Sequence, residues 1–247
     1  MKRWLAVLVS LLMLVTLLGS TGCRPTSDKL VVGTSADYEP FEYIDEDGNY
    51  AGFDIELMEE IGRRMNLEIE WQDIAFDGLI GSLQTGKIDA IIAAMSATPE
   101  RQQQVDFTQP YFIGADAIIL AEDSDIVINR NEDMAGYRVG VQTGTIQETW
   151  IEDNIEVELF RYERAEQAIM DLQSGRIDIV AMDYYAATSF VNRGGLTVAL
   201  RTQFAGQHMA IAVQKGNTEL RDQLDSMIDE LQAEGFVDQL ALKYLTD

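Results

Sequence analysis

The sequence predicts an α/β fold made of two lobes built on one plan. Three observations carry this reading. Short apolar runs with strand character alternate with segments whose apolar residues recur at spacings of three and four, the pattern of strands alternating with covering helices. The stretch 88–95 is almost continuously apolar, as expected of a parallel strand covered on both faces. Finally, Leu83-Gln84-Thr85-Gly86-Lys87-Ile88-Asp89 returns as Leu172-Gln173-Ser174-Gly175-Arg176-Ile177-Asp178, each copy a helix end, a Gly stop and a strand start. A weaker echo pairs Val32-Gly33 with Val139-Gly140.

The first residues read as an address. Met1-Lys2-Arg3 is a short basic head, residues 4–18 are apolar apart from Ser10 and Thr16, and Gly19-Ser20-Thr21-Gly22 leads directly to Cys23. This is the layout of a secretory signal and is short for a membrane span. It resembles a bacterial lipoprotein signal, in which the Cys becomes N-terminal and is acylated, although Ser20 stands where that pattern usually has Leu. Ordinary secretion with Cys23 as a bystander is the alternative. The expected division is a signal over 1–22 and a tether over 23–29, with Cys23 holding the protein to the outer face of a membrane.

The elements that follow can be taken in order. Residues 30–33 form a short apolar strand, and Asp45-Glu46-Asp47-Gly48-Asn49 is a turn. Asp54 is expected to cap a helix carrying Ile55, Met58, Ile61 and Met65 on one face. Residues 67–71 are the next strand, and Asp77 is expected to cap a helix that Gly86 ends. After the strand at 88–95, Thr98 and Pro99 start another helix as cap and first residue. Near the C-terminus Leu220, Leu224, Met227, Ile228 and Leu231 form one helical stripe ending at Gly235.

Composition removes whole classes of function. There are 42 acidic against 18 basic residues, a net charge of −24, which excludes a nucleic-acid binder because phosphates need Lys and Arg. The sole Cys excludes an internal disulfide and a Cys-based zinc cage, and the sole His, His208, excludes HExxH and three-His metal sites. No metal and no cofactor is expected.

The functional signal lies in the polar residues beyond the carboxyl ends of the strands, where open α/β sheets bind ligands. Arg101 is the most informative. It falls at the third position of the helix begun by Thr98-Pro99, where a cation opposes the helix dipole by ~0.3–1 kcal/mol. Its side chain leans back toward the cleft, and an anion such as a carboxylate would offset the cost through two parallel hydrogen bonds. The alternative is a surface ion pair with Glu100 or Asp106. Thr143-Gly144-Thr145 leads from a strand into a helix and suits a second grip on the same anion. Asp183 ends an apolar strand, where a buried carboxylate needs a cationic or donor partner. It would either receive an ammonium group or cap the segment after it. Tyr38 and Phe76 could flank an apolar part of a ligand, or simply belong to the core. The set is the negative image of an amino acid zwitterion.

Ordered blocks along the chain carry a resemblance. They are Gly33-Thr34, Tyr38-x-Pro40-Phe41-Glu42, Gly52-Phe53-Asp54, Phe76-Asp77-Gly78-Leu79, Leu83-Gln84-x-Gly86-Lys87-Ile88-Asp89, Thr98-x-Glu100-Arg101, Asp106-Phe107-Thr108-x-Pro110-Tyr111, Gly140-Val141-x-x-Gly144-Thr145-x-Gln147-Glu148 and Gly235-x-x-x-x-Leu240. From about Leu30 to its end the chain resembles the extracytoplasmic solute-binding proteins of polar amino acid ABC importers, bacterial family 3. The resemblance implies a type II periplasmic-binding-protein fold. Lobe 1 would comprise 30–113 and 212–247 and lobe 2 residues 117–207, joined by two hinge strands near 113–117 and 207–212. It also implies a monomer that delivers its ligand to a membrane permease. By similarity Arg101 and the region of Thr145 and Ile146 hold the α-carboxylate. Ser96 and the backbone around Ala94 and Met95 contact it or the ammonium. Asp183 takes the ammonium, and Tyr38 and Phe76 pack on the side chain. Ser35 stands where members that take cationic or amide side chains often carry Asp, and Ile146 where Ser or Thr is frequent. Gln142 could bond an amide or a guanidinium. A polar uncharged ligand such as glutamine, then arginine, is the expectation.

Two other classes share this fold. A cyclohexadienyl dehydratase-like enzyme would need a His or a Glu of raised pKa at the cleft, and no Glu adjoins Asp183. A ligand-sensing subunit would need a separate signalling partner, since no apolar run follows the signal.

Overall fold

The computed structural model describes residues 29–245. The expected signal, Cys23 and the tether up to residue 28 lie outside the described residues. The first half comprises β1 (Lys29–Thr34), β2 (Asp37–Tyr38), β3 (Glu42–Ile44), β4 (Tyr50–Ala51), α1 (Phe53–Met65), β5 (Glu68–Asp73), α2 (Leu79–Gln84), β6 (Ala90–Ile91), α3 (Pro99–Gln102), β7 (Val105–Phe107) and β8 (Phe112–Ala121). The second comprises β9 (Arg138–Gln142), α4 (Ile146–Asn154), β10 (Glu158–Tyr162), α5 (Ala165–Gln173), β11 (Ile179–Asp183), α6 (Tyr184–Asn192), β12 (Leu196–Met209), β13 (Ala212–Gln214), α7 (Thr218–Ala233) and α8 (Phe236–Tyr244).

These strands form two five-stranded sheets of matching order, β5-β1-β6-β13-β7 and β10-β9-β11-β8-β12, beside a small β2-β3-β4 sheet. In each large sheet one strand opposes the rest, β13 in the first and β8 in the second. Alternation sends successive side chains to opposite faces. Val32 packs with Phe53, Leu57, Met58, Leu224 and Ile228 under α1 and α7, while its neighbour Val31 joins Leu79 and Leu83 of α2. In the second sheet Ala117 and Ile119 face α5 and α6, while Ile118 and Leu120 face Ile151 of α4.

The internal echo is one packing unit used twice. Gly86 and Gly175 both turn the chain out of a helix with positive φ, +70° and +73°. Ile88 and Ile177 then plug the neighbouring strand at its glycine: a Cβ built on Gly33 or Gly140 would stand 2.5 Å from the Ile Cδ1. Asp89 and Asp178 complete the unit by accepting the backbone N–H of Val31 and Arg138, both at 2.9 Å.

The chain passes from the first sheet to the second through β8 and returns through β12 into β13. The two passing strands pair side by side, Phe112 opposite Met209, Ile113 opposite His208 and Gly114 opposite Gln207. Beyond that pairing the register slips between Thr202 and Gln207, where β12 bulges.

Three local expectations are corrected. Helix α1 is capped by Gly52, and Asp54 lies inside its first turn, fully buried, with its carboxylate turned to the Ala94 N–H and the Tyr111 hydroxyl. Asp77 makes no cap; it sits in a single 3₁₀ turn over Phe76–Gly78 that feeds α2. The strand expected over 88–95 is reduced to β6, because only Ala90 and Ile91 find ladder partners on both sides. Ala94 then turns the chain away with φ +45°. The apolar run reflects burial, not ladder length.

Gly140→Ala should destabilise the protein by about 1–3 kcal/mol through overpacking against Ile177. Adding Ile177→Val, which removes the opposing Cδ1, should restore part of that loss. Chemical denaturation of the double-mutant cycle checks this, and strictly additive losses would count against the plug.

Candidate functional site

A small, tightly closed cavity of about 30 Å³ lies between the two sheets. Its walls come from the carboxyl ends of strands in both: Ser35 just after β1, Ala93, Ala94 and Ser96 after β6, Gln142 at the end of β9 and Asp183 at the end of β11. The two sheets are held together across it. Arg101 Nη2 donates to the Gly144 carbonyl at 2.8 Å, and the Asp183 N–H donates to the Tyr38 hydroxyl at 2.9 Å. Behind these, Arg164 at the start of α5 pairs with Asp73 at 2.9 Å and Asp37 at 3.4 Å, and the Ala165 N–H donates to Asp37 at 2.7 Å.

Arg101 sits where its local sequence requires. Thr98 caps α3 by accepting the Arg101 N–H at 3.3 Å, and Pro99 opens the helix. The guanidinium is buried, lies over the Phe76 ring at 5.3 Å, and donates to the carbonyls of Ser96 (2.7 Å) and Gly144. Neither acid considered as a surface partner pairs with it, and Asp106 instead holds Lys215 at 2.7 Å. Among the described residues no carboxylate lies within ion-pair distance of Arg101. Burial pushes its pKa down to about 10.

Asp183 does both things its position allows. Its Oδ1 caps α6, accepting the N–H groups of Tyr185 (2.8 Å) and Ala186 (3.3 Å). Its Oδ2 is buried with no hydrogen-bond partner. Burial, against which the two backbone donors work, pushes the carboxyl up to about 8. Among the described residues, the guanidinium and the carboxyl that line this cavity thus both lack an ion-pair partner.

Ten of the eleven ligand-contact residues expected from the sequence line this cavity: Ser35, Tyr38, Phe76, Ala94, Ser96, Arg101, Gln142, Thr145, Ile146 and Asp183. Met95 does not. It packs with Leu79, Leu83 and Ile91 and reaches the larger cleft that opens beyond Phe76 and Arg101, as does His208. The Thr143-Gly144-Thr145 turn offers less than expected. The Thr143 N–H already donates to Tyr162, the Gly144 N–H to the Glu148 carboxylate, and the Thr145 hydroxyl to the Gln142 carbonyl.

Four lining residues were missed: Glu42, Ala93, Gln147 and Gln207. Glu42 is almost fully buried, and burial first, then the charges of Asp54, Asp37 and Asp183, holds its carboxyl well above the usual range. The neighbouring Asp54 is likewise raised by burial, to about 7. An acid following Phe41 in an aromatic stretch was the available signal for Glu42. Gln147 lies in the first turn of α4, and Gln207 on a passing strand where spacing says nothing.

Because the Asp183 carboxyl sits higher folded (about 8) than its ordinary 3.8, the folded state holds the extra proton between those values. Its contribution to stability therefore declines as pH rises across that window. Asp183→Asn keeps a capping oxygen and removes the buried charge. In protein freed of amino acids at pH 8 it should raise Tm by about 2–4 °C per kcal/mol of relieved strain, while weakening ligand binding. Scanning calorimetry checks this, and a lowered Tm would oppose it.

The comparisons with known proteins agree with this geometry. A profile of bacterial extracellular solute-binding proteins, family 3, matches residues 30–247. The chain is 34% identical over 259 residues to the arginine-binding extracellular protein ArtP of Bacillus subtilis, covering 100% of this chain and 99% of ArtP. It is 34% identical over 227 residues to the histidine-binding periplasmic protein of Escherichia coli, covering 86% of each. The solved structure of an ancestral arginine-binding protein bound to arginine superposes with a TM-score of 0.83 at 35% identity, covering 89% of this chain and 99% of that one. With its two-lobed type II architecture and full-length match, the chain belongs to the bacterial extracellular solute-binding proteins of family 3.

Proposed function

We propose that this protein captures a free L-amino acid between its lobes and delivers it to an ABC permease, with L-arginine the ligand the cavity fits best. The observation that carries this is a pair of buried groups without ion-pair partners among the described residues, the Arg101 guanidinium from the first lobe and the Asp183 carboxyl from the second, whose raised pKa marks the missing cation. An α-carboxylate on the Arg101 fork and an α-ammonium at Asp183 Oδ2 neutralise both at once. Ser96 and the backbone at Ala94 flank the zwitterion, Thr145 and Ile146 lie beside the carboxylate, and Tyr38 and Phe76 sandwich the side chain.

The preference for arginine over glutamine rests on Glu42. Once the zwitterion is neutral, Glu42 still adds a buried acid to the lining, held above its usual range by burial and by nearby acids, and a side-chain cation offsets that crowding. Gln142 and Ser35 add polar contacts at the same end. Family members named for arginine and histidine support a cationic or polar ligand.

Lobe 1 is taken as 30–113 with 212–247 and lobe 2 as 117–207, moving about the paired strands near 113–117 and 207–212. Ligand shifts the balance toward the closed form because only there do both lobes touch it. The permease reads that form. Cys23, acylated after removal of 1–22, holds the monomer to the outer face of the membrane. Catalysis is not part of this reading.

Isothermal titration against the twenty amino acids tests the proposal. L-arginine should bind most tightly, and no heat with any of them would overturn it. Arg101→Ala should lower affinity at least about 100-fold, as expected for an unpaired buried carboxylate, while leaving the circular dichroism spectrum unchanged. Glu42→Gln should weaken L-arginine about tenfold more than L-glutamine. Equal losses would remove Glu42 as the side-chain determinant.

A further inference from the structure

We propose that Asp116, a fully buried acid that touches no ligand, is a positioning residue that turns two glutamine amides so that the cavity is lined by carbonyl oxygens and reads the ammonium group. The inference rests on the amino acid reading above and deepens it at one pole of the site.

Asp116 lies on β8, directly opposite Asp183 in the ladder. Its Oδ1 accepts Nε2 of Gln147 at 2.6 Å and Nε2 of Gln207 at 2.5 Å, and its Oδ2 accepts the Phe204 N–H from the β12 bulge at 2.8 Å. Among the described residues no cation pairs with it. A carboxylate accepts only, so it fixes which end of each amide faces it. Both NH₂ groups are turned to Asp116, and both carbonyl oxygens are left for the cavity that Gln147 and Gln207 line. No described group donates to either oxygen.

The Gln207 oxygen is the informative one. A Cβ built on Gly114 would stand 3.0 Å from Gln207 Oε1 and 3.0 Å from Asp183 Oδ2, the unpartnered oxygen. The two acceptors therefore lie at most about 6 Å apart, and Gly114, by carrying no side chain, leaves both unobstructed. An ammonium on the cavity side of the pair donates to both, gaining a neutral acceptor beside the acidic one. With either amide reversed, an NH₂ would face the ammonium and repel it. Asp116 thereby acts on the ligand through Gln207 while its third bond ties the same carboxylate to the bulge of the passing strand.

Asp116→Asn is close to isosteric and lets the glutamines reverse, because an amide can donate to their carbonyls. Titration of the full chain with L-arginine and with 5-guanidinopentanoic acid, which lacks the ammonium, separates orientation from packing. L-arginine affinity should fall at least tenfold while affinity for the des-amino acid changes less than twofold. Gln207→Met, which keeps the length and deletes the acceptor, should give the same asymmetry and serves if Asp116→Asn does not fold. Equal losses for the two ligands, or unchanged affinity for both, would overturn the assignment. Failure of the unaltered protein to bind L-arginine or any other amino acid would instead overturn the reading beneath it.

Discussion

A guanidinium and a carboxyl are buried in the wall of one cavity, and among the described residues neither has an ion-pair partner. Ions taken out of water cost several kcal/mol each unless paired, so their persistence here is the constraint that the rest of the structure serves. Arg101 is held by two carbonyls and an aromatic face, contacts that orient a cation without cancelling it. Asp183 spends one oxygen as a helix cap and keeps the other free. In the proposed reading each lobe carries half of a receptor, and a zwitterion completes both halves.

Closure joins those halves. The contacts across the cleft are of two kinds. Arg101 to Gly144 and Asp183 to Tyr38 involve side chains or backbone of the cavity-lining Arg101, Asp183 and Tyr38. The Arg164 bridge to Asp73 and Asp37 lies beside the cavity, partly open to solvent, and such pairs contribute little in water. In the proposed hinge motion the first kind would make closure responsive to ligand, and the second would steady it without dominating. Asp116 links the two levels, since one carboxylate holds a glutamine of α4, a glutamine of the passing strand and the bulge between the sheets.

Much of this was legible in the sequence because it is local. Thr98-Pro99 fixes the register of Arg101 within one turn, and a lone acid at the end of an apolar strand marks Asp183. The repeated Gly–Ile–Asp unit was visible as an echo, though its physical content, an Ile filling the space over a strand glycine, appears only in three dimensions. What was not legible depends on contacts far apart in the chain. Asp54 has the spacing of a cap, yet its carboxylate is drawn inward by Ala94 and Tyr111. Glu42 lines the cavity, buried close to Asp54 and Asp183, acids far from it in the chain. Met95 fell among genuine contact residues by sequence but packs into the core after the Ala94 turn.

The central claim concerns which ligand atoms meet which side chains, and a crystal structure of the complex with L-arginine tests it most directly. The account predicts the α-carboxylate on the Arg101 guanidinium and the α-ammonium on Asp183 Oδ2, both at about 2.7–3.1 Å, with the side chain running between Tyr38 and Phe76 toward Glu42. A ligand bound in the reverse direction, or one that leaves Asp183 Oδ2 without a donor, would contradict it.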